Sequence, residues 1–357
     1  MKIFVSTGEV SGDLHLSYLV TNILKINKDI KFYGVAGDHC KTAGVEIIQD
    51  IKDLAVMGFT EALKKYHFLK KKSLEYLEFI KENKIDKVIL VDYGGFNLAF
   101  LKLLKKEVPN VEVYYYIPPK LWVWGEKRIN KLKLADHILV IFPWEVEFYK
   151  KHGLDVVYYG NPFSEKYSLL EKKGEKILLL PGSRKQEIHS LMPVMLEIVK
   201  SMPDKEFLLK LHSSKVFGWI DVDILKYPNL SIEKDSISLE EVAKECNMAI
   251  AASGTVTLEL ALMGIPTIVL YKTSCINAFI ARHILKLGLV SLPNLTLNKE
   301  VYPELLQEKC TKDKILFEID RFEKNIDEIE SDILKIREKL SGKNVVENYA
   351  RYIIERK

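Results

Sequence analysis

Six short runs in the first half of the chain, KIFVS, FYGVAG, KVILVDY, VEVYYYI, HILVIF and VVYYG, are apolar nearly throughout rather than at every second residue. A strand with one face in water alternates. A strand without alternation needs cover on both faces, and a parallel sheet sandwiched between helices supplies it. The segments between the runs carry apolar residues at helical spacing, so strand and helix alternate along the chain. After YYGNPF the pattern lapses through SEKYSLLEKKGEK, then resumes with ILLLPGSR, FLLKLH, MAIAASG and PTIVLYK. The expected fold is α/β, with two doubly wound Rossmann-like domains facing across a cleft at the carboxyl ends of their strands, where open α/β sheets bind ligands. The lapse places a first domain over 1–163 and a second over 164–340. From Asp313 onward the chain is charged with Ile and Leu at helical spacing, and its last helix, about 341–357, is expected to pack back on the first domain.

A chain of 357 residues, 48% of them apolar, is long enough for two cores. The 53 basic and 49 acidic residues leave a net charge of +4, which argues against wholesale nucleic-acid binding. Cys40, Cys246, Cys275 and Cys310 form no CxxC pair, so neither a zinc site nor a disulfide framework is expected, and a reducing cytoplasm fits. The N-terminal MKIFVSTGEVSGD meets glycine and acid before a signal-peptide core develops. The most apolar tract, Met248 to Tyr271, is interrupted by Ser253, Gly254, Glu259, Gly264 and Pro266, which speaks against a membrane span. The histidines show no metal-ligand spacing, and the Asp221-Val222-Asp223 triplet sits in a polar segment away from the cleft loops. No metal and no cofactor are expected.

Five stretches carry candidate chemistry. In VSTGEVSGD, Val5 to Asp13, Gly8 and Gly12 are four apart, and neither G-x-G-x-x-G nor G-K-[ST] is present, so both common phosphate fingerprints fail. What remains is a strand–loop–helix turn with Ser11 or Asp13 placed to cap a helix beginning near Leu14. Such a cap does not require Glu9. In LLLPGSRKQEI, Gly182 brings the backbone close to a ligand, while Ser183 and Arg184 present a hydroxyl and a forked cation suited to a leaving diphosphate. The competing reading pairs Arg184 with Glu187 on the helix surface.

In AASGTVTLELALMGIPTIVLYK, a strand stops at Ser253, Gly254 and Thr255 and a helix starts, turning free amides and a positive dipole end toward the cleft. Glu259, one turn on, could take two ribose hydroxyls; a capped helix is the alternative. In VDYGGFNLAF, Asp92 ends a buried strand as a candidate general base or a helix cap, and Asn97 follows a glycine pair. Trp122 and Trp124 of IPPKLWVWG form a rigid aromatic loop. With Gly8, Ser11, Gly12 and Asn97 they are the candidate acceptor wall. In MGFTEALKKYHFLKKKSLEYL, Lys64, Lys65, Lys70, Lys71 and Lys72 surround Tyr66, Phe68 and Leu69. This describes a helix able to lie on an anionic membrane, or one that covers the sheet.

Taken in order, GEVSGD, GVAG, VMGFTE, Phe96-Asn97, YYIPPKLWVW, LPGSRKQEI, SGTVTLE, Tyr271-Lys272 and SLPN resemble the motifs of the lipid-A-disaccharide synthase family, glycosyltransferase family 19, from Gly8 to beyond Asn294. The resemblance implies a GT-B glycosyltransferase, inverting and metal-independent. It would transfer 2,3-diacylglucosamine from UDP-2,3-diacylglucosamine to the 6-hydroxyl of 2,3-diacylglucosamine 1-phosphate, at the inner face of the inner membrane. It assigns Gly182, Ser183 and Arg184 to a diphosphate loop, and Ser253, Gly254, Thr255 and Glu259 to a nucleotide helix. Asn294 falls in the family's LPN segment, and Glu9 matches an N-terminal cleft acid. Many members read I-D-x-P-D-F-N where this chain has VDYGGFN, so Gly95 replaces a second carboxylate and leaves Asp92 or Glu9 as the base. Pro118 and Lys120 stand where serines are usual. Oligomeric state is left open, a homodimer included. The alternatives are another UDP-sugar transferase, a UDP-N-acetylglucosamine 2-epimerase, and a non-catalytic nucleotide-binding protein at the membrane surface.

Overall fold

The computed structural model describes residues 1–55, 62–122, 125–171, 174–211, 214–220, 226–233, 236–272 and 288–355, with side chains in the helix Ala62–Glu82 described from His67 onward. Strands β1 (Lys2–Ser6), β2 (Lys31–Ala36), β3 (Val45–Asp50), β4 (Lys87–Val91), β5 (Glu112–Tyr116) and β6 (His137–Leu139) form one parallel sheet in the order β3-β2-β1-β4-β5-β6. Strands β7 (Lys176–Leu180), β8 (Phe207–Lys210), β9 (Leu230–Glu233), β10 (Cys246–Ala252), β11 (Thr267–Tyr271) and β12 (Glu304–Leu306) form a second, in the order β12-β11-β10-β7-β8-β9. The two orders are the same topology: a first strand at the centre, two successors to one side, then a return to the other. The chain accordingly divides into two compact units, Met1–Pro162 with Gly342–Lys357, and Phe163–Ser341.

The central strands are the uniformly apolar ones: Val88 through Val91 of β4 are fully buried, as are Val113 through Tyr116 of β5. The strands that apolarity alone misses lie at sheet edges. β3 and β9 are half-covered, and β12 is three residues long, so each lacks the continuous run that two covered faces demand. Conversely, VVYYG is not a full strand; only Val157 pairs, in an isolated bridge to Leu139 beyond the short β6. Its residues are half-buried because they border the sheet rather than sit within it.

The first turn differs from expectation in its capping. The helix begins at Val10 with Glu9 in the extended N-cap position and no side-chain cap, so neither Ser11 nor Asp13 caps it. Asp13 is 1% exposed and reaches another element, accepting the backbone N–H of Gly37 at 2.7 Å, of His39 at 3.0 Å and of Cys40 at 3.4 Å. These amides open the helix Asp38–Ala43, whose N-terminal dipole favours a carboxylate. Losing a buried acceptor would strand those donors, so Asp13→Ala is expected to cost about 2–4 kcal/mol in chemical unfolding of the full chain. A loss under about 0.5 kcal/mol would show that solvent replaces the carboxylate without penalty.

The chain's last helix, Val345–Glu355, belongs to the first unit. Lys87 Nζ, nearly buried on β4, donates to the Ile353 carbonyl at 2.6 Å, and its charge is met by Glu112 at 3.0 Å. The Tyr349 hydroxyl lies 2.5 Å from the Val140 carbonyl and accepts the Tyr159 N–H at 3.1 Å.

Helix Ala62–Glu82 covers the sheet. Tyr76, Leu77 and Ile80 are buried in the first unit's core, with Phe68 and Leu69 half-buried against it. Phe68 and Leu69 therefore pack inward, and from His67 onward this helix leaves exposed His67, Lys70, Lys71, Leu74, Glu75, Glu78, Lys81 and Glu82, a face of mixed charge. Lys72 pairs with Glu75 at 2.8 Å, and its Nζ stands 5.8 Å from the Phe68 ring centre. The side chains of Lys64, Lys65 and Tyr66 lie outside the described residues, as do Trp124, Asp221 and Asp223.

Candidate active site

In a sheet of this topology the crevice for ligands opens at the carboxyl ends of the two central strands, where the winding reverses. In the first unit those strands are β1 and β4, and their exits carry Gly8 and Glu9, and Asp92. Asp92 and Tyr93 both take left-handed backbone conformations, φ 42° and 47°, as does Ile117 after β5, φ 56°. Such positions cost roughly 1–2 kcal/mol each outside glycine, and they gather where a site imposes them. They are held in place: the Asp92 N–H donates to Ile117 O at 3.0 Å, and the Tyr115 hydroxyl donates to Asp92 O at 2.8 Å.

The Asp92 carboxyl is pushed up to about 6 by burial first and then by the negative charge of Glu9, with Lys120 and the Tyr93 amide acting in the opposite sense. The fold thus brings two of the sequence-derived candidates, Asp92 and Glu9, within electrostatic reach. A carboxylate with raised proton affinity at a strand exit is suited to taking a proton near neutral pH.

The loop glycines serve packing. A Cβ on Gly8 would lie 2.3 Å from the Tyr93 ring, and one on Gly12 would lie 2.4 Å from Thr7 Oγ1. Ser11 is half-buried in the first helical turn. Asn97 is not a ligand-facing residue. It is fully buried, its Nδ2 lies 3.1 Å from the carbonyls of both Ser6 and Val91, and its Oδ1 accepts the Ser6 hydroxyl at 2.7 Å. It ties β1 to the end of β4. At Gly95 a Cβ would meet nothing within 4 Å, so the position replacing the family's second carboxylate is open space.

Trp122 is half-buried and meets Trp144 edge to face at 6.1 Å, while Trp144 stacks on Phe142 at 4.4 Å. Next to Trp144 stands Glu145, a buried carboxyl that sequence reading passed over, pushed up to about 7 chiefly by burial. Lys120 lowers the proton affinity of both Asp92 and Glu145. Glu145 gives no motif signal because it lies in an ordinary helix start, PWEVEF.

In the second unit the central strands are β7 and β10. After β7, Gly182 adopts φ 103°, and Ser183 and Arg184 are exposed ahead of the helix Lys185–Ser201. The Arg184 side chain is 71% exposed and pairs with Glu187 at 3.3 Å. After β10, Ser253, Gly254 and Thr255 lead into the helix Thr255–Met263. A Cβ on Gly254 would have nothing within 4 Å, which leaves the helix start open to a ligand's approach.

Glu259 accepts the Tyr167 hydroxyl at 2.5 Å; burial raises its proton affinity, and the Tyr167 bond and the Lys166 charge lower it. Tyr167 and Lys166 come from the segment whose pattern lapses in sequence, so no local signal marks them. Asn294 is fully committed to the protein. Its Nδ2 donates to Tyr302 O and Glu304 Oε1, both at 2.7 Å, and its Oδ1 accepts the N–H groups of Val301 at 2.9 Å and Tyr302 at 2.8 Å. All the hydrogen-bonding capacity of its side chain is used within the protein, so the amide braces a turn.

Two Rossmann-type sheets with ligand loops at their central strand ends define the GT-B class of α/β proteins. UDP-GlcNAc 2-epimerase of Neisseria meningitidis, in a structure bound to UDP-GlcNAc, shares the fold with a TM-score of 0.61 at 13% identity, covering 99% of both chains. The calicheamicin glycosyltransferase CalG4 does so with a TM-score of 0.60 at 13% identity, covering 99% of this chain and 96% of the other. A lipid-A-disaccharide synthetase family model matches residues 3–354. The lipid-A-disaccharide synthase of Geobacter metallireducens is 32% identical over 377 residues, covering 99% of this chain and 97% of its own. The chain belongs to the lipid-A-disaccharide synthase family and is a glycosyltransferase. Its substrates are accordingly a sugar nucleotide and a lipid acceptor. Among the described residues, no helix is long and apolar enough to cross a membrane.

Proposed function

We propose that the chain transfers 2,3-diacylglucosamine from UDP to the 6-hydroxyl of 2,3-diacylglucosamine 1-phosphate, with inversion, giving the β-1,6 disaccharide 1-phosphate and UDP. The observation that carries this reading is the family match along residues 3–354. The fold alone would serve an epimerase equally well.

The roles follow from the chemistry at the strand ends. Asp92 takes the proton of the acceptor 6-hydroxyl as that oxygen attacks the anomeric carbon. The bond to the UDP oxygen breaks on the opposite side, and the negative charge leaves with the diphosphate. The amides of Ser183 and Arg184, the helix start at Ser253 to Thr255, and the Arg184 guanidinium are suited to stabilise that charge. They would serve in place of a metal. Glu259, held by Tyr167, would take ribose hydroxyls. The exposed Lys70 and Lys71 would hold the protein to the anionic inner face of the inner membrane, where both acylated substrates reside.

Incubating the protein with both acylated sugars in a chelator-containing buffer should yield disaccharide by mass spectrometry, with UDP released only when acceptor is present. Acceptor-independent interconversion of the UDP-sugar would replace this reading with an epimerase. UDP binding without any product would replace it with a nucleotide-binding protein.

A further inference from the structure

The loop assigned above to the donor diphosphate already holds an anion, one that the chain supplies itself. Glu187 Oε2 accepts the backbone N–H of Ser183 at 3.1 Å and of Arg184 at 3.2 Å, and Glu187 Oε1 accepts from Arg184 Nη1 at 3.3 Å. Both backbone donors and the guanidinium of the loop thus converge on one carboxylate. Gly182 makes room for it, since a Cβ there would lie 2.5 Å from Glu187 Oε2 and 2.9 Å from Glu187 Cβ. The carboxylate projects from the first turn of the helix Lys185–Ser201, where a negative group is favoured.

We infer that Glu187 is an internal stand-in for the donor's phosphate: its carboxylate occupies the oxyanion position of the loop and is displaced when the sugar nucleotide binds. The inference rests on the assignment of this loop to the diphosphate. Two anions cannot share the same two amides, because each N–H is directed to one acceptor and like charges at hydrogen-bond distance repel. The nucleotide therefore binds against an occupied site, and its net affinity is the difference between two charge-assisted interactions. On the product side the same competition works in favour of turnover. When UDP leaves, the carboxylate returns to the amides and opposes rebinding. A carboxylate on a flexible side chain suits this role, because rotation about its own torsions frees the loop without moving the helix.

The test is calorimetric titration of the full-length wild type, Glu187→Ala and Glu187→Gln with UDP and, separately, with uridine, at one fixed salt concentration. Glu187→Ala is expected to bind UDP about tenfold more tightly, with uridine affinity unchanged, since only the phosphates compete with the carboxylate. Glu187→Gln keeps an acceptor of the same size but loses the charge, and should fall between the two. A wild type that binds UDP, with variants that bind it equally or more weakly, would overturn the inference and leave Glu187 as a helix cap. A wild type that binds no UDP would overturn the diphosphate assignment itself, and this inference with it. If Glu187→Ala does not fold, the charge comparison in Glu187→Gln still decides.

Discussion

Asp92→Asn is expected to lower kcat by about three orders of magnitude, the middle of the range for loss of a positioned general base, while UDP binding is unchanged. The pH profile gives the sharper readout. A carboxylate works as a base only when ionised, and Asp92 is pushed up to about 6 by burial and by Glu9. The rate of the wild type should therefore rise through about pH 6 and level off above it. Asp92→Asn should lose that limb, and Glu9→Gln should move it to lower pH, because a repelling charge has been removed. A limb that survives in Asp92→Asn would assign the base elsewhere, Glu9 first.

The same carboxylate carries a stability signature of fixed sign. With its pKa above the unfolded value, the folded chain binds the proton more tightly, so stability falls as pH rises from about 4 towards 6. At neutral pH Asp92→Asn is expected to be neutral or stabilising while inactivating, the trade expected of a functional group held against its own preference. The open space at Gly95 supplies a rescue: a Cβ there meets nothing within 4 Å, so Gly95→Asp can place a second carboxylate beside the strand end. In the Asp92→Asn background it is expected to recover part of the lost turnover.

Arg184→Ala is expected to lower kcat by about two orders of magnitude, comparable to losing one preorganised donor to a developing charge. Folding stability should hardly move, since the guanidinium is largely exposed and its pair with Glu187 is a surface one. Arg184→Lys should recover little, because an ammonium cannot reproduce the planar fork of donors. Turnover near that of the wild type in steady-state assays would remove Arg184 from the reaction.

The parts of the site legible in sequence are those whose chemistry is local. A buried strand that ends in Pro-Gly-Ser-Arg or Ser-Gly-Thr announces an exposed loop and a helix start, because glycine and small hydroxyl residues are what such turns require. What remained hidden are relations between residues far apart in the chain. Asp13 reads as a cap for its own helix and serves the helix Asp38–Ala43; Asn97 and Asn294 read as ligand contacts and are buried clamps. Polar residues inside a fold must be satisfied, and the partner is set by what the topology brings alongside. Phe68 and Leu69 illustrate the same point for apolar groups. A basic amphipathic helix has one pattern whether its apolar face meets lipid or a sheet, and here they pack on the core.

By itself the sequence determined the α/β class, the succession of buried strands and the loops that end them, since burial on two faces and tight turns leave direct marks in residue type. The tertiary structure alone decided that both halves share one winding order, though no repeat is visible in the residues. Strand order is set by which apolar faces close on each other, and many sequences satisfy the same closure. It also decided which groups the site's acids face. Asp92 is an ordinary aspartate until burial and Glu9 raise its proton affinity, and Glu187 is an ordinary first-turn acid until Gly182 lets it fold back onto the amides.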